Sequence, residues 1–514
     1  MSFLSRISLF ATKSPRHGNF VVVLPRYDEN RTPARKGKTL TEDAFEHSAA
    51  KMRDNGMTDM AIAQFKRLYE VWRSEEASTW IREDDVEPLV GVPSFHDVYE
   101  TINHDKAVDA FAKTAFLKLN GGLGTSMGLD CAKSLLPVRR HKARQMRFID
   151  IIIGQVLTAR TRLGVELPLT LMNSFRTSND TMKVLRANKS SIKRTFLWKS
   201  CSIRNRKSVR KPVFLSASRQ IRNLNGARQA MATCSPPFGN PAYWTSSRRR
   251  ASNTCSSRIP TISRTSFAHA AQHFENTGAP FMIEVAKRTP ADRKGGHIVR
   301  DKATGRLMLR EMSQVHPDDK DDAQNIEKHP YFNTNSIWVR IDALKAKLSA
   351  YDGVLPLPVI RNNKTVDPTD PTSEPVIQLE TAMGAAVTLF DGATCVCVDR
   401  MRFLPVKTTD DLFIMRSDRF HLTDQYEMED GNYVFPDVHL DARYYKNIHD
   451  FDTRFPYGVP SLAAANSVDI DGDWTFGRDV ILFGDARLTD TSEPSYVPNG
   501  EYVGPQGVEP DDWV

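Results

Sequence analysis

The chain has 514 residues, 40% of them hydrophobic, with a mean hydropathy of −0.43 and a formal charge of +8. It is long enough for one large domain and a smaller one, and no apolar run approaches the roughly 18 residues that a membrane-spanning helix needs. The positive charge does not read as affinity for nucleic acid, because residues 190–266 alone hold sixteen Lys and Arg, and without them the rest of the chain carries −8.

The opening MSFLSRISLFATKSPRH is basic and free of acid. It resembles an organelle presequence in composition but lacks an apolar centre and a small-residue cleavage site. Residues 1–40 are therefore expected to be a disordered extension of a cytoplasmic protein. Met57–Val71 sets Ile62, Phe65, Leu68 and Tyr69 on one face at helical spacing, which predicts a packing helix. From Thr114 the pattern runs strand, loop, helix, strand: TAFLKLN, GGLGTSMG, FIDIIIGQVLTART and LPLTLMN. That alternation predicts an α/β fold with a mostly parallel sheet. Further strands are predicted at Pro280–Val285, Ser336–Ile341 and Thr394–Val398, and helices at Arg340–Ala350, Val376–Phe390 and Thr408–Phe420. In Val468–Leu488, apolar residues recur at short intervals between Gly-Asp turns. This predicts coils of a β-helix of roughly hexapeptide period, with a pair of ordinary hairpins as the alternative. Beyond Thr489 the acidic, Pro- and Gly-rich tail reads as unstructured. The six cysteines, Cys131, Cys201, Cys234, Cys255, Cys395 and Cys397, show neither metal-ligand spacing nor a dense disulfide framework. Cys395 and Cys397 alternate along a strand, as core residues do.

The strongest chemical signal is Leu119-Asn120-Gly121-Gly122-Leu123-Gly124-Thr125-Ser126-Met127-Gly128, after a strand and ahead of Lys133. Four glycines in eight positions let the backbone curl so that N–H groups converge on phosphate oxygens. Lys133 adds a mobile cation. A Gly-rich loop by itself is equally compatible with a structural turn.

This loop and its lysine closely resemble the signature of the UDP-glucose pyrophosphorylases. The likeness continues in order through Met172-Asn173-Ser174-Phe175, Arg288-Thr289-Pro290-Ala291-Asp292-Arg293-Lys294-Gly295-Gly296 and Tyr331-Phe332-Asn333-Thr334-Asn335. It then runs through Leu379-Glu380-Thr381-Ala382-Met383-Gly384-Ala385-Ala386 and Phe403-Leu404-Pro405-Val406-Lys407-Thr408-Thr409. It covers about residues 55–189 and 270–490. Ser126-Met127 stands where the related N-acetylhexosamine enzymes carry Arg-Leu, which favours the glucose branch. The resemblance implies a Rossmann-like nucleotidyltransferase domain with a mixed, mostly parallel sheet over 41–420, a small C-terminal β-helix over 421–490, and a tail over 491–514. It also implies reversible transfer of a uridylyl group from UTP to glucose 1-phosphate with Mg²⁺ as cofactor. The metal would be held mainly by phosphate oxygens, and no metal ligand is identifiable in the literal sequence. In this reading Leu119, Asn120, Gly121, Gly122 and Gly124 bind the nucleotide, Lys133 and Lys407 are catalytic, and Asn333, Asn335, Glu380, Lys294, Gly295 and Gly296 bind the sugar. Outside such motifs a lysine is usually a solvated surface residue, an Asn often caps a turn, and a Glu opening a helix can serve its dipole.

Two motifs of the family are missing between Asn173 and Arg288: a Pro-Pro-Gly-His-Gly loop for uridine and sugar, and an Asn-Ser-Asp-Asn segment whose aspartate helps hold metal and phosphates. In their place is the Arg/Ser-rich block, in which Glu275 is the only acid between Thr181 and Asn276. An offset reading frame explains it. Asn225–Cys234 can be encoded as AAT GGT GCC CGC CAG GCC ATG GCG ACC TGT. Taking the third base of each codon with the first two of the next gives Trp-Cys-Pro-Pro-Gly-His-Gly-Asp-Leu. The same offset lets Ala251–Ser263 yield Phe-Glu-Tyr-Met-Phe-Val-Ala-Asn-Ser-Asp-Asn-Leu, and Thr195–Ser208 a Gln…Pro-Lys segment like the family's. Residues 190–266 are thus expected to be out of frame, the literal chain to have little activity, and its sheet to lack interior strands. Three competing readings follow: a nucleic-acid binder using Trp244 and Arg248–Arg250, an inactive sugar-nucleotide-binding relative, and a uridylyltransferase for another hexose 1-phosphate.

Overall fold

The computed structural model describes residues 39–54, 59–74, 80–187 apart from 123, 125, 126, 130, 143 and 174, 197–200, 251–255, 266–365 apart from 290, 291 and 294, 375–430 apart from 405, and 436–509. The presequence-like start and most of the 190–266 block lie outside these residues.

Two helices, α1 (Thr39–Asp54) and α2 (Asp59–Arg73), pair through Phe45, Ala49, Ile62 and Tyr69. They pack on the body through Leu68 against Val359 and Leu379. The central sheet takes β1 (Val86–Pro88), β2 (Thr114–Asn120), β5 (Leu169–Asn173), β6 (Leu197–Ser200), β7 (Ala251–Cys255), β8 (Phe281–Lys287), β9 (His297–Asp301), β10 (Leu307–Arg310), β11 (Tyr331–Val339) and β14 (Thr394–Cys397). The small hairpins β3–β4 (Pro137–His141, Arg144–Arg147) and β12–β13 (Ile360–Thr365, Pro375–Glu380) stand outside it. Six consecutive residues of β8 are buried, so it reads as an unbroken run rather than an alternation.

The sheet is mixed. Strands β7, β2, β5 and β6 run parallel, as do β8 and β14, whereas β11 is antiparallel to β7, β8 and β9, and β9 to β1 and β10. The mostly parallel sheet expected from the sequence is therefore confined to one half. The long β11 reverses the direction on its other side, as a nine-residue strand can by pairing along both edges. β6 and β7 both fall in the Arg/Ser-rich block. The expected loss of interior strands is thus corrected: the backbone of Ala251–Cys255 fills the slot between β2 and β11.

Helices α3 (Phe95–Tyr99), α4 (His104–Ala112), α5 (Phe148–Leu163), α6 (Phe175–Ala187) and α7 (Ser266–Thr277) cover the parallel half. In α5 the Asp150 carboxylate accepts from the Arg147 N–H at the start, and Gly164 ends the helix at φ +63°. The helix predicted at Val376–Phe390 is instead strand β13 followed by a short 3₁₀ segment, Met383–Leu389. Antiparallel pairing with Ile360–Thr365 holds Pro375–Glu380 extended, so helical turns start only after it.

Further on are α8 (Ile341–Ala350), α9 (Thr409–Arg416), hairpin β15–β16 (Phe420–Leu422, Met428–Asp430), β17 (Asp437–Leu440), α10 (Ile448–Arg454), β18 (Ser461–Ile470), β19 (Trp474–Phe476) and β20 (Ile481–Leu488). They are followed by β21 (Ser495–Val497), β22 (Tyr502–Gly504) and β23 (Gly507–Glu509), which corrects the expectation of an unstructured end. Strands β17, β18, β20 and β22 stack in parallel, β19 pairs in parallel with β21, and β23 folds back antiparallel. The core beneath them reaches Met127, Leu136, Val138 and Phe148, so residues between Leu404 and Val503 and the Gly-rich loop share one apolar cluster.

Candidate active site

Strands β2 and β5 end side by side, with Asn120 opposite Asn173 in register. Carboxyl ends of adjacent parallel strands form the crevice in which α/β proteins hold ligands. The Asn120 amide donates to Asn173 Oδ1 and, at 3.0 Å, to Thr181 Oγ1, so its orientation is fixed by two buried partners. The chain then turns through Gly121 and Gly122, and the Met127 and Leu129 amides both donate to the Gly124 carbonyl. Gly128 takes φ +69° with the Asn447 carboxamide 3.0 Å from where a Cβ would sit. Leu119 packs its side chain into the apolar cluster around Phe281 and Ile283.

Lys133 leaves the loop through a backbone hydrogen bond to the Gly122 carbonyl, and its ammonium donates to the Val406 carbonyl. Lys407 is the next residue. Its Nζ lies 5.6 Å from the centroid of the Phe332 ring, and with Thr408 its backbone N–H is taken by the Asp411 carboxylate that caps α9. Lys133 thus contacts the residue next to Lys407, while the Lys407 ammonium stands over the Phe332 ring.

Phe332 carries the arrangement towards the other loop. A Cβ on Gly295 would lie 1.8 Å from the Phe332 ring, so only glycine allows that contact. The Gly296 carbonyl accepts from the Asn333 N–H at 3.0 Å. Asn335 sits at φ +59° and makes a bulge in β11, closed by Asn333 Oδ1 accepting from the Asn335 N–H and Asn333 Nδ2 donating to Asn335 Oδ1. Gly384 rests on Asn333, which brings the Leu379–Ala386 motif to the same place. Glu380 ends strand β13 instead of opening a helix, because the helix is absent; its side chain, like Lys294, lies outside the described residues.

The segment before Lys407 is pinned twice. Arg402 donates to both oxygens of Glu284, at 3.0 and 2.7 Å, with both side chains at most 4% exposed. Trp338 donates to the same carboxylate, and the guanidinium lies 4.0 Å from the Phe267 ring centroid. Arg400 donates to Asp292 at 2.7 Å, and that carboxylate also takes the Thr289 N–H and hydroxyl. Arg288 holds the loop from within, donating to the carbonyls of Ala323, His329, Asp292 and Arg293. Behind Gly296 the imidazoles of His297 and His329 lie 4.6 Å apart, with His297 fully buried. Burial, and then the neighbouring His329, Arg288 and Arg310, hold His297 well below the ordinary histidine range. Burial pushes the Cys395 thiol up to about 12, in keeping with its packing role.

Glu284, Arg400 and Arg402 escaped the sequence reading. The signal for them is the Asp-Arg-Met-Arg run just before Phe403, which places two arginines two residues apart ahead of a motif lysine. Among the described residues no three His, Cys, Asp or Glu side chains converge as a metal site, and no helix is long and apolar enough to cross a membrane. The described carboxylates near these segments, Glu284, Asp292 and Asp411, are taken by arginines or backbone amides.

A family profile described as UTP–glucose-1-phosphate uridylyltransferase matches residues 62–211 and 263–483. The interval it skips falls inside the Arg/Ser-rich block. A UTP–glucose-1-phosphate uridylyltransferase of Musa acuminata is 31% identical over 414 residues, spanning 77% of this chain and 84% of that one. The Saccharomyces cerevisiae protein of the same name is 31% identical over 416 residues, 79% of this chain and 80% of its own. Among solved structures, a UDP-glucose phosphorylase of Trypanosoma brucei aligns with a TM-score of 0.76 at 31% identity, covering 90% of this chain and 99% of that one. A variant UDP-glucose pyrophosphorylase of Leishmania major in complex with UDP-glucose aligns with a TM-score of 0.74 at 29% identity, covering 90% and 98%.

Proposed function

The chain belongs to the UTP–glucose-1-phosphate uridylyltransferase family, and from that premise we propose how its residues carry out the reaction. The enzyme transfers the uridylyl group of UTP to glucose 1-phosphate. A phosphate oxygen of the sugar phosphate attacks the α-phosphorus in line, the bond from that phosphorus to the bridging oxygen breaks, and pyrophosphate leaves with the electron pair. No protein nucleophile is required, because the task is to align two polyanions and offset their charge. The backbone at Asn120, Gly121, Gly122 and Gly124, with Leu119 contributing only main chain, receives the uridine and α-phosphate. Lys133 steadies the triphosphate and Lys407 the phosphates from the far side. Gly295, Gly296, Lys294, Asn333, Asn335 and Glu380 form the hexose side.

One observation supports this reading: the Lys133 ammonium reaches the Val406 carbonyl, which brings the end of the Gly-rich segment against the residue next to Lys407. Mg²⁺ is the proposed cofactor and would supply charge neutralisation while riding on phosphate oxygens. The described residues offer no carboxylate set for it. Glucose is the proposed hexose, the compartment the cytoplasm, and the boundaries 41–420 and 421–490 those of the two domains. The parallel stack of β17, β18, β20 and β22 supports a β-helix in the second.

We tie full turnover to the offset reading of residues 190–266. Two observations support it: the family match breaks off at 212–262, and the polar ASNTC segment holds a central slot of the sheet for which the offset frame supplies Phe-Glu-Tyr-Met-Phe. Sequencing the gene across codons 185–275 tests the frame, since codons incompatible with the offset would remove it. The activity test is pyrophosphate release from UTP and glucose 1-phosphate with Mg²⁺. We expect robust turnover from the offset chain and little from the literal one, and an inert offset chain would overturn the assignment.

A further inference from the structure

Two loops must hold two different substrates in one line of attack, and the structure links them through one segment, Asp399–Lys407. Its far end contacts the nucleotide loop, where the Val406 carbonyl accepts from Lys133. Its near end contacts the sugar-side loop, where Arg400 Nη1 donates to Asp292 Oδ2 at 2.7 Å, with side chains 24% and 7% exposed. That carboxylate oxygen also accepts from the Thr289 N–H at 3.0 Å and hydroxyl at 2.9 Å, so the group that folds the sugar-side loop is the one Arg400 grips. The Arg400 guanidinium lies 5.4 Å from the Phe403 ring centroid, and Phe403 packs on Phe332 at 5.3 Å between centroids. Phe332 in turn fills the space that the absent side chain of Gly295 leaves, and Lys407 stands over it.

Resting on the function proposed above, we infer that Arg400 is a positioning residue: its charge-assisted bond to Asp292 couples the sugar-side loop to the Lys407 segment. It thereby sets the spacing between the hexose phosphate and the α-phosphate of UTP. A half-buried bond of this kind is directional and strong enough to hold a loop, and displacement of about 1 Å is enough to cost much of an in-line reaction. Arg402, buried on Glu284, anchors the same segment to β8, whereas the Arg400 bond runs to Asp292 of the sugar-side loop. The coupling is therefore assigned to Arg400.

The test uses the full chain carrying the offset reading, with Arg400→Ala, Arg400→Lys and Asp292→Asn, the last keeping an acceptor for Thr289. Titration calorimetry gives the affinities for UDP-glucose and UTP, steady-state assays give kcat, and thermal melting monitors folding. Arg400→Ala should weaken UDP-glucose by about fivefold or more and cut kcat by about tenfold, with UTP affinity within about twofold of the parent. Asp292→Asn should do the same, and Arg400→Lys should recover most of the loss by keeping the charge. Equal weakening of both ligands, or no change in either, would overturn the coupling role while leaving the functional reading intact. A parent chain that binds neither ligand would overturn the functional reading, and the coupling with it.

Discussion

Exchanging residues 190–266 for their offset-frame translation should convert a marginal fold into a stable one, and β7 shows how large the effect is. Its backbone pairs Asn253 with Phe116 on one side and Trp338 on the other, and Thr254 with Leu117 and Ile337. Those four neighbours are at most 6% exposed, so the slot is interior. The offset frame replaces ASNTC by Phe-Glu-Tyr-Met-Phe, adding four large side chains worth about 1.5–3 kcal/mol each when fully buried. After allowance for apolar area already hidden in the unfolded chain, the gain is about 5–10 kcal/mol, comparable to the whole stability of a typical domain, about 5–15 kcal/mol. Urea unfolding followed by tryptophan fluorescence and near-ultraviolet circular dichroism measures it. The offset chain should unfold in a cooperative transition, and the literal chain should bind a hydrophobic dye and lose its signal gradually. A cooperative transition at the same urea midpoint in both chains would refute the reasoning.

In the offset chain, Lys133→Met and Lys407→Met should each lower kcat/KM by about 10²–10³, or about 3–4 kcal/mol; a loss below about fivefold in either would remove that lysine from the site. Gly295→Ala drives a Cβ into the Phe332 ring and should raise the KM for glucose 1-phosphate by about tenfold with less effect on UTP, so equal KM values for mutant and parent would count against the sugar-side placement. Arg402→Met leaves Glu284 buried without its cation and should cost about 3–5 kcal/mol in urea unfolding, and a change under about 1 kcal/mol would show the pair to be dispensable. For pH, burial keeps the His297 and His329 imidazoles below the ordinary value of 6.5 in the folded state. The unfolded chain therefore takes up protons first, and stability should hold above about pH 7 and decline as pH falls through 6.5. His297→Phe should flatten that decline, and identical urea midpoints at about pH 7.5 and 5.5 in the parent would sink the argument. Glu83 adds a separate, more acid limb: burial pushes its carboxyl up, but Lys328, Arg310 and His329 outweigh it and hold it at about 2.

What the sequence by itself determined is local or motif-bound. The Gly-rich loop, its preceding strand and following helix, and the ordered family motifs were legible because glycine spacing and apolar periodicity act over a few residues. The proposed offset frame rests on the sequence alone, because codon structure leaves a trace in the amino acids. Tertiary structure alone decided three things. The 376–390 segment divides into strand and 3₁₀ turn because its first part pairs with the distant strand Ile360–Thr365. The large antiparallel share of the mixed sheet arises because β11 offers both edges to antiparallel partners. The Asp-Arg-Met-Arg run marks Arg400 and Arg402 in the sequence, but not their pairing, because the partners Asp292 and Glu284 lie more than a hundred residues away and a charge reveals its function only once the fold supplies the opposite one.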